Sequence, residues 1–490
     1  MNISRRWFIG GAAATCAMQG CKVITDPLGL YRGDRPNLKF GVISDVHIIA
    51  ANTDRGYQGN PRTFIHALKW FDAQGVDAIA IAGDITDAGL VSEMQVVADA
   101  WFKVFPYDRS TIDGRKVERF FITGNHDWEG CNYGYDVFGR KSNTLNYDFI
   151  RDYTYAKTMD RLFGDSYASV ERKNIKGYDF IGAHWDGDAG ANWGGMHQIK
   201  PWFEKNSKTI DPGKPFFYIQ HPHPKNTCFG ERTWCPDNGV STNILSNHPN
   251  AVAFSGHTHY SIVDERAIWQ GAFTSIGTGS LRYVTEFNGE FKGGFENAGG
   301  GDDTQKTCDG YRSPDGRCGI LVSVYDDHIS YRRRDFRWDA DLGPDWVMPL
   351  PAAESKPFAY AERAKKFIAP EFSADAKVEA KMGMSSCRKN KDKKLPALVV
   401  KFPAAVRSFE LTPRYYTVEA IAKDGKVLKT KRMLHPNYNL PCGVKEPKEL
   451  ELAFFKTDFP ADSEVKVVVK PYESFGHGGK AIESSFVKIV

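Results

Sequence analysis

The chain has 490 residues, with 64 Lys and Arg against 60 Asp and Glu, for a formal charge of +4. This balance gives no large electrostatic bias, and no basic stretch with interleaved aromatics marks a nucleic-acid surface. The 41% hydrophobic and 25% charged content is ordinary for a globular protein, and the length is too great for one domain.

The first feature in chain order is Ser4-Arg5-Arg6-Trp7-Phe8-Ile9-Gly10, followed by a short apolar stretch rich in Gly and Ala. It is too short to span a membrane and reads as a twin-arginine export signal over residues 1–21. Met18-Gln19-Gly20-Cys21 resembles a lipoprotein processing box, with Gln where Ala or Ser is usual. A lipid on Cys21 is favoured over ordinary cleavage nearby and a freely soluble protein. The expected location is the bacterial periplasm, free or anchored, with that lipid as the only membrane attachment.

From residue 38 onward, short apolar runs alternate with polar blocks. FGVI leads into Ser44-Asp45-Val46-His47, AIAIA into Gly83-Asp84-Ile85-Thr86-Asp87, and FFIT into Gly124-Asn125-His126-Asp127. FFYIQ leads into His221-Pro222-His223-Pro224, and AVAFS into Gly256-His257-Thr258-His259. The runs read as buried strands. Each block therefore falls where a strand passes into a loop, the rim at which open α/β sheets bind ligands. Between them, residues 62–74 place Phe64, Ile65, Leu68 and Phe71 near 3.6 spacing and predict a helix, as do residues 90–105.

Three stretches are irregular. Residues 132–152 are rich in Tyr and Asn, residues 185–203 form a Gly-rich loop ending in a short amphipathic helix, and residues 288–319 are dense in Gly, Asp and Lys. The last is either a functional loop or partly disordered. Arg332-Arg333-Arg334 follows an alternating strand and reads as a solvated edge.

Around Gly343 to Pro351 the composition shifts to Pro, which sets a first domain at 38–338, a linker at 339–371 and a second domain at 372–490. In the second domain, alternation at 398–402, 416–422, 449–454 and 464–469 predicts strands, and Asp424-Gly425 marks a hairpin. Pro471 to Gly476, with Gly478-Gly479 after it, resembles the last hairpin of fibronectin type III-like sandwiches. Packing on the first domain is the expected role, with glycan or partner contact as the other. The cysteines suit an oxidising compartment. Cys228/Cys235, Cys308/Cys318 and Cys387/Cys442 are candidate pairs, with free buried thiols open for any of them.

The blocks together offer two Asp, one Asn and four His: Asp45, His47, Asp84, Asn125, His221, His257 and His259. Mixed O and N ligation without thiolate suits two borderline divalent ions, Mn, Fe or Zn, better than Mg, Ca or a Cys-ligated zinc. Seven ligands exceed one tetrahedral site, and a carboxylate can bridge two ions. Two metals about 3.5–4 Å apart can clamp the oxygens of a phosphoryl group in in-line displacement.

The ordered blocks D-x-H, G-D-x-x-D, G-N-H-D, a lone H and G-H-x-H resemble the calcineurin-like metallophosphoesterase superfamily. The resemblance implies an α/β fold, a four-layer sandwich of two mixed β-sheets flanked by helices, followed here by a small all-β sandwich. It implies that Asp45, His47 and His259 bind one metal, that Asn125, His221 and His257 bind the second, and that Asp84 bridges. His126 would donate to the phosphoryl group or leaving oxygen, with Asp127 orienting its imidazole. The late Gly-rich loop makes His184, Asp186, Trp193 and His197 candidate substrate contacts, and Tyr133, Tyr135 and Tyr147 could stack on an aromatic or sugar leaving group.

The implied reaction is phosphoester hydrolysis by a hydroxide held between the metals. Purple acid phosphatases carry Tyr three residues after the bridging Asp, where this chain has Asp87. The pattern looks more like cyclic-nucleotide-type and bacterial phosphodiesterases. Diester hydrolysis of a small-molecule or lipid-head-group substrate is expected, with monoester or nucleotide hydrolysis second. A non-catalytic exported glycan- or surface-binding lipoprotein is the alternative from another class, and the full ligand set argues against it.

Overall fold

A computed structural model describes residues 35–49, 61–129, 156–185, 196–286, 312–313, 315–366, 368–387 and 390–490. Its first sheet holds β1 (Leu38–Ile43), β2 (Ala78–Ala82) and β3 (Glu118–Ile122), with β1 parallel to β2 and β2 to β3. The second sheet holds β4 (Val170–Ile175), β5 (Tyr178–Ala183), β6 (Phe216–Ile219), β7 (Ala251–Ser255), β8 (Ile268–Gln270) and β9 (Thr274–Gly277). Its order is β4-β5-β6-β7-β9-β8, parallel from β5 to β9 and antiparallel at both edges.

Beyond it come the short pair β10 (Val284–Thr285) and β11 (Arg312–Ser313), then β12 (Cys318–Val324), β13 (His328–Asp335), β14 (Ala340–Asp341) and β15 (Trp346–Pro349). Strands β12 to β15 return to the first sheet, β12 lying antiparallel on β1 and β15 on β13.

The two sheets face each other across one apolar core. Strand alternation turns Phe40 and Val42 of β1, Ala78, Ala80 and Ala82 of β2, and Phe120 of β3 inward. The small β2 residues leave room for a cluster of rings, with Phe40 4.9 Å from Phe180 and 4.6 Å from Phe217, both edge-on. Phe40→Ala would cost about 3–5 kcal/mol through transfer and cavity terms. The opposite face of the first sheet, Ile79, Ile81 and Phe121, packs under α1 (Pro61–Ala73) and α2 (Val91–Val104). The helix Ile199–Asn206 covers the second sheet through Ile199 and Phe203. The result is a four-layer metallophosphoesterase fold. Among the described residues no helix is long and apolar enough to cross a membrane.

Residues 339–371, read as a linker, contain β14 and β15, which extend the first sheet, and a helix at Tyr360–Lys366. Pro349 and Pro351 are tolerated because β15 is an edge strand, where a missing N–H breaks no ladder. Arg333 is not a solvated residue. The strand's period of two turns it inward, at under 2% exposure, where its guanidinium lies 4.1 Å over Trp346 and pairs with Glu265 at 2.9 Å.

The C-terminal part is an all-antiparallel sandwich. One sheet joins β16 (Glu379–Cys387), β17 (Asn390–Pro403) and β20 (Glu449–Phe455). The other joins β18 (Tyr415–Ala422), β19 (Val427–Leu434), β21 (Glu464–Tyr472), β22 (Ile482–Glu483) and β23 (Val487–Lys488). Their inner faces share one core, including Leu398, Val400, Tyr416, Val418, Val467 and Val469. Gly425 turns between β18 and β19 at φ 86°.

Cys228 and Cys235 are not paired. Cys228 is buried, its thiol donating to the Ala267 carbonyl at 3.3 Å, and burial pushes that thiol up to about 12. Cys318 is likewise a buried free thiol, which excludes its pairing with Cys308. Cys21, Cys131, Cys308 and the side chain of Cys387 lie outside the described residues.

Candidate metal centre

The five polar blocks begin at or just past the carboxyl ends of β1, β2, β3, β6 and β7, so the two sheets present them on one shared rim. The blocks turn sharply there. Asp45 (φ 51°), His47 (48°), Asp84 (51°), His257 (69°) and His259 (54°) all occupy the left-handed region, which Asp and His tolerate better than most residues. Gly83 and Gly124 make room for the side chains that converge. A Cβ on Gly83 would lie 2.2 Å from His221 Nδ1, and one on Gly124 would lie 2.2 Å from Asp84 Oδ1.

Besides a group made by His47, Asp87 and His126, two groups of ligand-type atoms share Asp84. In one, Asp45, His47, Asp84 and His259 bring one such atom each within 4.8 Å of the others. His259 Nε2 lies 3.0 Å from Asp45 Oδ1 and 3.2 Å from His47 Nε2. In the other, Asp84, His221 and His257 converge, with His221 Nε2 3.1 Å from both Asp84 Oδ2 and His257 Nδ1. Asp84 Oδ2 is also 3.6 Å from His47 Nε2, so one carboxylate oxygen faces both groups. Asn125 is buried beside them at 6% exposure.

The atoms behind the ligands fit metal binding. His221 Nδ1 donates to the Ala82 carbonyl at 2.8 Å, and His259 Nδ1 donates to the Tyr283 carbonyl at 3.1 Å. His47 Nδ1 meets Asp87 Oδ1 at 3.1 Å. An imidazole held this way at Nδ1 presents Nε2 inward, as metal-ligating histidines do. Ser44 Oγ donates to Asp45 Oδ2 at 2.5 Å, and the His257 amide donates to the same oxygen at 3.1 Å. Sulfur is absent from both groups, so the donor set suits Mn, Fe or Zn in oxygen and nitrogen coordination.

The carboxylates and imidazoles also shift one another's titration. Burial alone would raise the Asp45 carboxyl, but His259 and His221 pull it down to about 2, and similar histidine contacts hold Asp84 well below the usual range despite its burial. Burial lowers His47 to about 4, whereas at His221 the Asp84 charge outweighs burial and raises it to about 9.

His126 stands beside this centre at the start of α3 (His126–Glu129), its ring 4.6 Å from that of His47. Its amide donates to Asp84 Oδ1 at 2.9 Å, and its Nδ1 donates to the Asp87 carbonyl at 2.9 Å. Asp127 does not orient that ring. Its carboxylate accepts from the amides of Ile85 (3.2 Å), Thr86 (2.8 Å) and Gly124 (2.8 Å) and from Thr86 Oγ1 (2.7 Å). Asp127 therefore ties the second block to the third, and burial with the nearby Asp84 charge raises it to about 6.

His184 is also not placed as a substrate contact. It is fully buried, accepting from the Thr123 amide at Nδ1 (3.1 Å) and facing Glu171 at Nε2 (2.9 Å), where it braces the turn into the third block. His197 is exposed. Tyr133, Tyr135, Tyr147, Asp186 and Trp193 lie outside the described residues.

Several neighbours carried no sequence signal. Trp234 stacks on His257 at 4.9 Å and 14° while 38% exposed, and Tyr283 lies 4.3 Å from His259. Arg282 pairs with Asp87. His223, inside the fourth block, bonds Ser255 Oγ (2.6 Å) and Thr258 Oγ1 (2.9 Å), and burial lowers it to about 3, which makes it a neutral tie under the fifth block.

A four-layer fold with carboxylate–imidazole groups on the shared rim presents a site able to hold two metals. Residues 38–261 match the family model of the calcineurin-like phosphoesterases. Among solved structures, the chain is similar to a dimetal phosphatase from Danio rerio (11% identity, 64% of this chain and 99% of that one, TM-score 0.34). It is similar to a purple acid phosphatase from yellow lupin seeds (12% identity, 65% and 56%, TM-score 0.39) and to vacuolar protein sorting 29 from Cryptosporidium parvum (9% identity, 65% and 99%, TM-score 0.28). No curated protein matches the chain.

Proposed function

We propose that the chain is an exported, dinuclear-metal phosphodiesterase acting on a small-molecule or lipid-head-group phosphoester outside the cytoplasm. The observation that carries the catalytic reading is the pair of ligand groups sharing Asp84. Asp45, His47 and His259 would hold one ion and Asn125, His221 and His257 the other, with Asp84 shared between them. When bound, the ions supply hydroxide at neutral pH and neutralise phosphoryl charge.

The remaining work falls to the chain's own residues. His126 Nδ1 faces a carbonyl, which can only accept, so Nδ1 carries a proton. For Nε2 to donate to the departing oxygen the ring must carry a second proton, and the same carbonyl stabilises that cation. Asp127 keeps His126 in place through the backbone of the second and third blocks. Asp87 positions the His47 imidazole and, through its carbonyl, that of His126.

A preference for diesters rests on the Gly-Asp-x-x-Asp form of the second block, in which Asp87 supports His47 where a ligating Tyr would stand. Monoester or nucleotide hydrolysis on the same site is the second reading. The twin-arginine run supports export, Cys21 supports a lipid anchor, and the C-terminal sandwich with its fibronectin type III-like last hairpin supports a packing role.

The test loads residues 22–490 with Mn, Fe or Zn and compares a bis-aryl phosphodiester with its monoester, using Asp84→Asn as control. Diester preference lost in the variant is the expected result. Monoester preference refutes the diester assignment, and metal-free, turnover-free protein refutes the enzyme.

A further inference from the structure

The segment 283–286 runs as a splint along the fifth block. The Tyr283 carbonyl accepts from His259 Nδ1 at 3.1 Å. The Thr285 amide donates to the His259 carbonyl at 2.7 Å, the Thr285 carbonyl accepts from the Ser261 amide at 3.1 Å, and Thr285 Oγ1 donates to the Thr258 carbonyl at 2.8 Å. The backbone around His259 and its imidazole are thus held by Tyr283 and Thr285.

The next residue anchors the splint to a different part of the molecule. Glu286, 1% exposed, accepts at Oε1 from Arg414 Nε at 2.7 Å. Arg414 is fully buried and immediately precedes β18 of the C-terminal sandwich. Its own backbone is fixed, the amide donating to the Tyr472 carbonyl at 2.7 Å and the carbonyl accepting from the His435 amide at 2.8 Å. Arg414 Nε also lies 3.5 Å from Asp264 Oδ2, and Asp264 caps the turn Glu265–Ala267 by accepting from the Arg266 amide at 2.9 Å. The two chain segments that flank His259, one ending at Asp264 and the other at Glu286, therefore meet on one guanidinium of the sandwich.

We propose that Arg414 is a positioning residue for the metal group containing His259, so that the C-terminal sandwich completes the metal centre instead of merely covering the domain. This rests on the dinuclear reading above. An imidazole whose Nδ1 acceptor shifts loses the orientation of its Nε2. Loss of such outer partners typically weakens metal affinity about 10–100-fold. The effect falls mainly on one ion because His221 of the other group takes its outer support from the Ala82 carbonyl and not from the splint's.

The experiment titrates Mn and Zn into the metal-free chain, residues 22–490, and follows binding by calorimetry with thermal unfolding alongside. Wild type should take up two ions. Arg414→Met should weaken one ion about 10–100-fold with the other within about threefold, and Arg414→Lys should recover part of the loss. Glu286→Gln keeps the shape, removes the charge and should act in the same direction, and it carries the test if Arg414→Met does not fold. Arg363→Met removes a half-buried arginine that lies over Phe475 of the sandwich and pairs with Glu265, and should lower Tm with both affinities unchanged. Equal weakening of both ions, or of neither, in the Arg414 and Glu286 variants overturns the proposal. A wild type that fails to take up two ions overturns the dinuclear reading itself.

Discussion

Replacing Gly124 by alanine drives a single methyl group into the middle of the ligand set. Its backbone is not left-handed, so the change is purely steric. The added carbon would lie 2.2 Å from Asp84 Oδ1, 2.6 Å from the Asp84 nitrogen and 2.7 Å from His221 Cδ2, where ordinary contact begins at 3.4 Å. Relief requires Asp84, His221 or the β3 turn to move by about 1 Å in an interior packed too densely to absorb it. Overpacking of this kind costs about 1–3 kcal/mol of stability.

The functional loss should be larger in proportion, because a displacement of about 1 Å can cost about 100-fold in rate. Both ligand groups share Asp84, so both ions should loosen together, unlike in Arg414→Met. The assay is metal content per chain by mass spectrometry, followed by turnover on the bis-aryl diester across metal concentration. A Gly124→Ala protein that holds two ions and turns over within twofold of wild type would refute the steric reasoning and the position assigned to Asp84.

Three further outcomes are expected. His126→Ala should lose most turnover yet keep both metals, and metal content falling in step with activity would make His126 a ligand. His435 is fully buried beside Arg407, and burial first, then that charge, lowers it from 6.5 to about 3. Its contribution to stability is therefore complete above pH 6.5 and lost as pH falls towards 3, amounting to about 2 kcal/mol between pH 7.5 and pH 5. Denaturant unfolding should show that slope flattened in His435→Leu, and an unchanged slope would mean that the ring is not neutral in the fold. Replacing Arg5 and Arg6 together by Lys should leave the chain in the cytoplasmic fraction, and undiminished periplasmic enzyme would exclude the twin-arginine route.

Much of the catalytic half was legible because buried parallel strands read as continuous apolar runs. AIAIA and AVAFS coincide with β2 and β7, and the predicted helices at 62–74 and 90–105 match α1 and α2 to within one residue at each end. The strand β16 carried no signal, and β19 was marked only as the far arm of the Asp424-Gly425 hairpin. In β19, VLKTKRML, only the last two residues are buried, and Lys431 lies over the rings of Phe454 and Phe455, so a charged residue does apolar packing.

The misassigned side chains share one cause, a partner distant in sequence. His126 and Asp127 look like a pair, but consecutive residues in a helical turn point about 100° apart, and the His126 acceptor and most of the Asp127 donors lie in the second block. Arg333 resembles its half-buried neighbours until Glu265, 68 residues away, is brought beside it. Trp234 and Arg282 sit in unremarkable sequence, and only folding carries them to His257 and Asp87.

The left-handed turns at Asp45, His47, Asp84, His257 and His259 also restrict the evolutionary paths open to this site. Most L-residues pay about 1–2 kcal/mol in that conformation, and β-branched ones more. The backbone thus filters substitutions before any metal does. A lineage drifting away from catalysis would pass through Asn or Gly at these five positions, and one that acquired Val or Ile there would lose the fold along with the ions. Chemistry and foldability are inherited together at this rim, so the presence of all five residues reflects two selective demands and not one.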